Sequence, residues 1–440
     1  MTLGNSIGAG ILRTPGDIAA LLPKPWLFVG IWVVGGLYAL LGANALAELG
    51  TMLPRSGGQY VFARHAFGQY AGFVVGWMDW ISTCAATAAI AIVIGESAAV
   101  VASLSSHDAA PIAMAVTAVF TLLLLRGTRT GDRAQQLTSL VKALALIALV
   151  VACFAFGARA HVAAAAGSIP RAATGFAALM LAAQAVIYTY DGWSAPVYFS
   201  EELDDPGRQI PRSMFYGLAL VAAIYLLVNI AFVRALPTSA LAGAPLAAAT
   251  VASAIFGGRG ELIVRLLVIV SLPSAVNACL LIASRTLHSV SRDGLGIPAA
   301  TRVSSGWTPT VSMALSGLVA LAFLATGTFQ TIIAIAAFFF VADYTLSFFA
   351  VFTLRRREPE AARPYRAVGH PWTTGFVLVG SLGFLASAVV GDRRNSLAAL
   401  GILVVSYPAF RLSRPFTATK AVPLPAGSGD PYVSEARGDQ

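Results

Sequence analysis

The sequence predicts an all-α polytopic membrane protein, and three observations indicate this fold class. Of the 440 residues, 57% are hydrophobic and 11% are charged, whereas soluble domains carry about 25% charged residues. The apolar residues form stretches long enough for helices that cross a hydrocarbon core about 30 Å thick. Lysine and arginine lie mainly in short loops between these stretches, as orientation in a membrane requires. The location of these basic residues in loops explains the net charge of +9 without a nucleic-acid partner, and we expect none.

Twelve apolar stretches of this kind follow one another, and we number them as segments one to twelve. They are residues 4–22, 26–50, 71–102, 109–126, 134–157, 175–199, 213–234, 261–285, 309–326, 329–354, 374–391 and 396–412. The stretch 244–257 is too short for a span, so we expect an interfacial or re-entrant helix there. Residues 415–440 are rich in proline, glycine and charge, which predicts a disordered tail.

The loop charges predict an orientation. If segment one begins on the cytoplasmic side, most loop arginines lie there, including the run 355–357 after segment ten. The positive-inside rule then predicts a cell-membrane protein with both termini and the tail 415–440 in the cytoplasm. No basic leader or small-residue cleavage site accompanies the first apolar stretch, so we expect no cleavable signal peptide.

Two segments contain residues that interrupt a helix near the middle of the membrane. GNSIGAG at 4–10 places three glycines in segment one, and each glycine costs a helix interior about 1 kcal/mol relative to alanine. In segment six, Asp191 and Gly192 precede Pro196, and a proline inside a helix costs about 3 kcal/mol. Irregular backbone at this depth is tolerated where it is buried in protein or lines a cavity. Broken helices at corresponding positions of two halves point to a transporter binding site.

Such breaks offer the two partners that an α-amino acid needs. Free N–H groups carry partial positive charge and suit a carboxylate, whereas free C=O groups suit an ammonium. Small residues at Gly8, Ala9 and Gly10 would let a ligand touch the backbone. The alternative is that the glycines permit close helix packing, but this leaves the break in segment six unexplained.

Ionisable residues inside the segments are candidates for function. Asp191 lies at the break, where it would cap the following half-helix or take part in proton coupling. Arg13, one turn after Gly10, is a gating candidate that would pair with an acid in the outer vestibule or guide carboxylates; the alternative is that it snorkels to the interface. Glu201 and Glu202 are expected to form gate contacts with arginines, and Glu48 to be a structural partner of loop arginines. Asp79, Glu96 and Asp343 are further acids within spans.

Five motifs identify a family. GNSIGAGI, AELGTMLPRSGGQYVFARHAFG (47–68), YTYDGWSAPVYFSEELDDPGRQIPRS (188–213), SRTLHSVSRDGLGIP (284–298) and LRRREPEAARPYRAVGHP (354–371) resemble the amino acid–polyamine–organocation (APC) superfamily, most of all bacterial relatives of L-type amino acid transporters. The resemblance implies a LeuT-like five-plus-five inverted repeat with broken helices one and six and alternating access. It also implies a single transporter domain, 1–414, with repeats 1–157 and 175–354 and extra helices 374–391 and 396–412.

The resemblance also implies roles for residues at the breaks. The backbone of Ile7, Gly8, Ala9 and Gly10 would hold the substrate carboxylate, and the carbonyls of Tyr188, Thr189 and Tyr190 would receive the amine. Asp191 and Gly192 complete the break. Trp193 would close over the side-chain pocket, or anchor the segment at an interface. In sodium-independent members a lysine at the position of Lys142 replaces a sodium ion, so Lys142 would couple substrate to helix movement; the alternative is a lysine that snorkels to the interface.

These observations predict a permease that moves an amino acid by proton symport or exchange, with no cofactor or metal. The pocket from segments three, six, eight and ten is expected to be apolar and lightly charged, which favours a neutral substrate; a cationic amino acid or polyamine is the alternative. An enzyme is disfavoured because the histidines form no metal-spaced group with acids, while a nutrient sensor stays open. Before its break, segment one is shorter than the roughly ten residues that half the core requires. An upstream extension is the favoured explanation, and a shortened inner gate is the alternative.

Overall fold

The computed structural model describes residues 8–126, 131–157, 175–304 and 308–413, with the backbone alone for residues 131–139 and residue 202. Ile7, the tail 415–440 and the beginning of segment one lie outside these residues. The described chain is an all-α membrane protein without a β-strand, in which Val303 and Pro309 form an isolated bridge.

Sixteen α-helices follow one another in the described residues, and we label them in chain order. They are α1 (Ala9–Leu21), α2 (Pro25–Met52), α3 (Gln59–Phe67), α4 (Gln69–Val101), α5 (Ala109–Arg126), α6 (Gly131–Phe156), α7 (Phe176–Tyr190), α8 (Pro206–Ala235), α9 (Thr238–Leu241), α10 (Ala247–Phe256), α11 (Gly258–Ser271), α12 (Pro273–Arg292), α13 (Thr310–Thr326), α14 (Phe329–Arg357), α15 (Trp372–Gly391) and α16 (Arg393–Ser413). Short 3-10 helices occupy Ser106–Asp108, Ala195–Glu202 and Pro298–Thr301.

Eight helical stretches in the described residues are long and apolar enough to cross a membrane. They are Pro25–Met52, Gln69–Val101, Ser106–Arg126, Pro206–Ala235, Gly258–Arg292, Phe329–Arg357, Trp372–Gly391 and Arg393–Ser413. Helices also occupy the other four predicted segments, but α1, α7 and α13 are shorter than these eight, as is the apolar part of α6, Leu140–Phe156. The total of twelve spans therefore stays a prediction.

Segment eight is longer than the predicted 261–285, because α11 and α12 continue each other from Gly258 to Arg292. The junction lies at Pro273, which occupies the first position of α12 and cannot donate a backbone hydrogen bond. The predicted non-spanning stretch 244–257 contains the ten-residue helix α10. It follows a loop that is tied to α1, since the Gly243 N–H donates to the Gly16 carbonyl at 3.0 Å.

The two halves of the chain pack together through helices with the same position in each half. Segment one (α1) packs on six (α7), and segment two (α2) packs on seven (α8). Segment three (α4) packs on eight (α12), and segment four (α5) packs on nine (α13). α14 is the most enclosed of the long helices, because 83% of its most apolar stretch is buried. It contacts α2, α3, α4, α7, α15 and α16. The interior of the bundle therefore lies around α14 and the turn after α7.

Candidate functional site

Segment six is interrupted between Tyr190 and Ala195. The α-helix ends at Tyr190, Asp191 has an extended ψ of 159°, and Gly192 has a φ of +102°, which glycine adopts readily. The chain then continues as the 3-10 helix Ala195–Glu202, with Pro196 in its first turn. The last carbonyls of α7 therefore have no following α-helical turn to bind them, and they are available to other donors.

The described part of segment one begins beside this break. Gly8 is extended and α1 starts at Ala9. A Cβ atom on Gly10 would lie 2.7 Å from the Thr189 Oγ1 atom. The glycine therefore allows α1 and α7 to approach each other this closely. The Thr14 hydroxyl joins them, at 3.0 Å from the Thr189 hydroxyl and 2.9 Å from the Gly10 carbonyl. The structure thus brings Gly8, Ala9 and Gly10 next to the end of α7.

The three residues expected to offer carbonyls have packed side chains. Tyr190 donates from its hydroxyl to the Trp32 carbonyl at 3.1 Å, and the Tyr188 ring packs edge-on against Phe329. The Thr189 carbonyl accepts the Tyr225 hydroxyl at 3.1 Å. A carbonyl oxygen has two lone pairs, so this bond leaves room for a second donor.

A small cavity of about 40 Å³ lies against the break. Its walls come from segments three, six, eight and ten, which is the set expected from the sequence, together with Gln59 of α3. They include Asp79, Asp191, Gly192, Cys279, Phe340 and Tyr344. One water molecule needs about 10–15 Å³ of cavity volume. This cavity therefore has room for a few waters and is too small for an amino acid.

Two carboxylic acids line this cavity, whereas the sequence predicts an apolar and lightly charged substrate pocket. Asp79 accepts the Tyr198 hydroxyl at 2.7 Å and the Thr286 hydroxyl at 3.3 Å, and Asp191 accepts the Tyr344 hydroxyl. Asp343, one residue before Tyr344, is 1% exposed, and neither carboxyl oxygen has a hydrogen-bond partner in the described part of the chain. The sequence counted these acids separately and could not show that they converge.

Trp193 is 2% exposed, which excludes the interpretation that it anchors segment six at a lipid interface. Its ring lies 4.8 Å from the Tyr344 ring, and its edge faces Gly42, where a Cβ atom would be 3.3 Å away. It fills the space between α2 and α14 and is not part of the cavity wall. The role implied by the resemblance, closure over a side-chain pocket, is not visible in this conformation.

Lys142 is buried in α6, with 3% of its surface exposed. Its Nζ atom has no hydrogen-bond partner among the described residues, although Cys279 of the cavity wall lies within its electrostatic reach. A lysine that snorkels to the interface would expose this amine, so burial argues against that alternative. The coupling hypothesis places its contact on the broken first segment, whose residues before Gly8 lie outside the described ranges.

Arg13 and Glu96 join α1 to α4 in an ion pair, so the predicted acid partner of Arg13 exists. The guanidinium carbon of Arg13 also lies 4.1 Å from the centre of the Phe329 ring, which is cation–π distance. Phe329 begins α14 and packs against Tyr188. We call the side of the bundle on which these side chains lie the Phe329 end.

The opposite side, which we call the Arg355 end, carries more ion pairs. Glu201 lies 3.5 Å from Arg292, and both side chains are exposed to about the same extent, 42% and 41%. The Glu202 side chain is not described. The prediction that Glu48 partners arginines is confirmed: it accepts two hydrogen bonds from Arg355, at 2.8 and 2.6 Å, and lies 3.3 Å from Arg363.

Sequence reasoning missed the hydroxyl groups that hold the acids. Tyr198 lies inside the quoted motif 188–213, and Thr286 lies inside the motif 284–298. Polar residues in otherwise apolar segments were a usable signal, because a buried hydroxyl requires a partner. The partners themselves lie more than a hundred residues away in sequence.

Comparisons with known proteins fit this arrangement. Residues 1–405 match the model of a family described as amino acid permease. The serine/threonine exchanger SteT of Bacillus subtilis (strain 168) is 26% identical over 416 residues, which cover 93% of this chain and 94% of SteT. The b(0,+)-type amino acid transporter 1 of Mus musculus is 26% identical over 375 residues, covering 83% and 76%.

The large neutral amino acids transporter small subunit 2 of Oryctolagus cuniculus is 26% identical over 386 residues, covering 83% of this chain and 70% of that protein. The family and these relatives are transporters rather than enzymes. With the family model spanning nearly the whole chain, this multi-pass membrane protein belongs to the amino acid permease family of the APC superfamily.

Proposed function

We propose that this protein is a secondary active transporter that moves an amino acid across the cell membrane by alternating access. The observation that carries the proposal is the interruption of segment six at Asp191 and Gly192, next to the start of α1 and against a cavity. The relatives are named as amino acid transporters and an exchanger. Exchange and proton symport are both compatible with this site.

The proposed architecture has twelve spans in a single domain, 1–414, with inverted repeats 1–157 and 175–354. Helices 374–391 and 396–412 follow the repeats, and 415–440 forms a cytoplasmic tail. The packing of segment one on six, two on seven, three on eight and four on nine supports this symmetry, because a two-fold arrangement brings equivalent helices together. Arginines 355–357 at the end of α14 support an orientation with that end, and both termini, in the cytoplasm.

In the proposed site the substrate binds through backbone groups. The N–H groups of Ile7, Gly8, Ala9 and Gly10 hold its carboxylate. The carbonyls of Tyr188, Thr189 and Tyr190 receive its amine, beside Asp191 and Gly192. Trp193 moves toward the side chain of the substrate when the cavity expands to admit it. Arg13 acts as a gate at the Phe329 end, and Glu201 and Glu202 at the Arg355 end.

The substrate class has two candidates. The first candidate is a neutral amino acid, which is the substrate class in the names of SteT and of the large neutral amino acids transporter. A cationic amino acid or polyamine is the second candidate, and the observation in its favour is the presence of Asp79 and Asp191 in the cavity wall. A carboxylate stabilises a nearby cation strongly in a low-dielectric interior.

Lys142 is proposed to couple substrate binding to movement of segment one. Its amine is buried without a hydrogen-bond partner among the described residues, an arrangement that costs free energy unless a partner forms in another state. We expect Lys142→Ala to reduce both substrate affinity and transport rate in proteoliposomes. Wild-type values for both would contradict the coupling role.

The transport function is tested by counterflow in proteoliposomes. Vesicles loaded with unlabelled amino acid should accumulate the labelled amino acid, whereas a nutrient sensor would bind without exchange. A thermal-shift screen of the common amino acids identifies the substrate first, since a ligand at 100 times its Kd stabilises a protein by about 2.7 kcal/mol.

A matched pair of glycine variants locates the site. Gly192 at the break and Gly257 between α10 and α11 both have positive φ, at +102° and +67°, so an alanine strains both backbones in the same way. We expect Gly192→Ala to lose counterflow and ligand-induced stabilisation, and Gly257→Ala to retain both. Equal effects of the two substitutions would place the site elsewhere.

A further inference from the structure

Asp343 is the buried acid that the proposed substrate site does not use. It is 1% exposed, and both of its carboxyl oxygens lack a hydrogen-bond partner in the described residues. An ionised carboxylate buried without donors is strongly disfavoured. The Asp343 carboxyl group is therefore stable either when it carries its own proton or when it shares a proton with a neighbouring group.

The position of Asp343 on α14 directs it toward the cavity region. Phe340, three residues earlier, lines the cavity, and Ser347, four residues later, donates to Gln59, which also lines it. Residues three and four apart share one face of a helix. Asp343 thus lies on the face of α14 that meets α3 and α4, although it is not itself part of the cavity wall.

The titratable groups around Asp343 come from the elements packed on α14. Asp79 of α4, Asp191 of the turn after α7 and Tyr198 of the 3-10 helix all lie within electrostatic reach of its carboxyl group. α3 contributes the uncharged Gln59. From α2, Tyr38 acts on the adjacent Tyr344. α15 has no charged residue, and the arginines of α16 lie near its two ends.

Asp79 has the hydrogen-bond donors that Asp343 lacks. One carboxyl oxygen accepts the Tyr198 hydroxyl and the other accepts the Thr286 hydroxyl. Hydrogen bonds donated to a carboxylate stabilise its charged form. Asp343 receives no such bond among the described residues, and two close carboxyl groups cannot both be ionised cheaply. One proton shared between the two acids satisfies both environments.

Asp79 also connects this pair to the parts that move in alternating access. It lines the cavity, so water there can deliver a proton to it. Through Tyr198 it holds the second half of segment six, and through Thr286 it holds segment eight. A proton on Asp79 removes the charge that strengthens both bonds, which loosens segment six from segment three.

We propose that Asp79 and Asp343 form a proton-binding pair whose protonation drives transport, so that the carrier is a proton symporter. The step forms one O–H bond on a carboxyl oxygen when the cavity faces the outside and breaks it when the cavity faces the cytoplasm. The inference rests on the proposed transport function, and it selects symport from the two mechanisms left open there.

The test compares two assays in proteoliposomes with the substrate found by the thermal-shift screen. In the first, an inward pH gradient is applied to vesicles without internal substrate, and a pH-sensitive dye inside reports proton entry. In the second, counterflow is measured without a gradient, which requires substrate exchange but no net proton movement. We expect the wild-type protein to accumulate substrate with proton entry in the first assay.

Asp343→Asn mimics the protonated acid and cannot release a proton. It should exchange substrate in counterflow but lose both gradient-driven accumulation and proton entry. Asp343→Glu keeps a titratable group and should retain gradient-driven accumulation, which separates loss of the proton from loss of fold. Asp392→Asn is the control, because Asp392 lies between α15 and α16 and contacts Asn395 outside this group, and it should keep both activities.

Several outcomes would overturn the proposal. Counterflow without proton entry in the wild-type protein would make it an exchanger and leave the transport function intact, whereas absence of counterflow would contradict the transport function itself. Proton entry that persists in Asp343→Asn would exclude the pair. Loss of transport in both Asp343→Asn and Asp343→Glu would make Asp343 structural. Loss of cationic substrates alone, with proton entry unchanged, would assign the acids to substrate binding.

Discussion

The two ends of α14 are stabilised in different ways. At the Arg355 end, Glu48 is 1% exposed and binds Arg355, Arg363 and the Ala367 N–H, so that α2, α14 and the following loop are joined. In addition, Asp293 accepts from Arg64, Arg55 and Tyr60. At the Phe329 end, the ion pair between different helices in the described residues is Arg13–Glu96, with the Phe329 ring beneath the arginine.

This difference separates structural contacts from gate contacts. A buried charge cluster is costly to disrupt, because each partner that loses its counter-charge stays buried. An exposed pair contributes about 0–1 kcal/mol and opens readily. We therefore infer that the Glu48 cluster stays intact during transport, whereas the exposed pair Glu201–Arg292 can break when the Arg355 end opens. Arg13–Glu96 lies between these two cases, because the arginine side chain is 7% exposed and the glutamate side chain 33%.

The largest effect is expected from Glu48→Ala. Removal of this carboxylate leaves Arg363, whose side chain is 3% exposed, and Arg355 without their shared partner. We expect a loss of about 3–5 kcal/mol in the free energy of unfolding, measured by thermal unfolding in detergent. Glu201→Ala, which breaks an exposed pair, is the control and should cost about 1 kcal/mol or less. Equal losses would remove the distinction between the two kinds of contact.

The next effect lies between the two ends, at Gly10. A methyl group there would approach Thr189 to 2.7 Å and separate α1 from α7. We expect Gly10→Ala to lower the free energy of unfolding by about 1–3 kcal/mol. We also expect it to reduce counterflow, because α1 no longer lies against α7. Gly380→Ala, which meets no atom within 4 Å on α15, should leave both measurements near wild type. A fully active Gly10→Ala would show that the close approach has no functional role.

A smaller effect is expected from Arg13→Ala at the Phe329 end. The substitution removes an ion pair and a cation–π contact, together about 1–2 kcal/mol. Cys279 lines the cavity and reports access to it. In a background with Cys84 and Cys153 replaced by alanine, Arg13→Ala should label faster with a membrane-impermeant thiol reagent. Unchanged labelling would mean that the arginine does not control this end.

The smallest effect concerns pH at the Arg355 end. His370 lies in the loop before α15, where burial and the nearby Arg355 lower its pKa. Because the folded protein binds this proton less readily than the unfolded chain, the contribution of His370 to stability is lost as pH falls through the ordinary range of histidine, near 6.5. His370→Gln should therefore reduce the loss of thermal stability between pH 8 and pH 5. An identical loss in the variant would contradict this.

The sequence anticipated several parts of the site with good accuracy. Gly192 and Pro196 have backbone requirements that act locally, so the interruption of segment six follows from the residues themselves. The cavity is lined by the segments that were expected to form the pocket, namely three, six, eight and ten, together with Gln59. The sequence did not show that Trp193 is buried against Tyr344, because a tryptophan in an apolar segment has the same local pattern at a lipid interface and in a core.

The sequence by itself determined the class of the protein, the approximate positions of the described helices and the place where segment six stops, since hydrophobic length and the backbone limits of glycine and proline are local properties. The tertiary structure alone decided which charges meet. Asp79, Tyr198 and Thr286 lie on three segments, and Asp343 lies on a fourth. Their charge state depends on desolvation and on neighbours that only the packed bundle supplies.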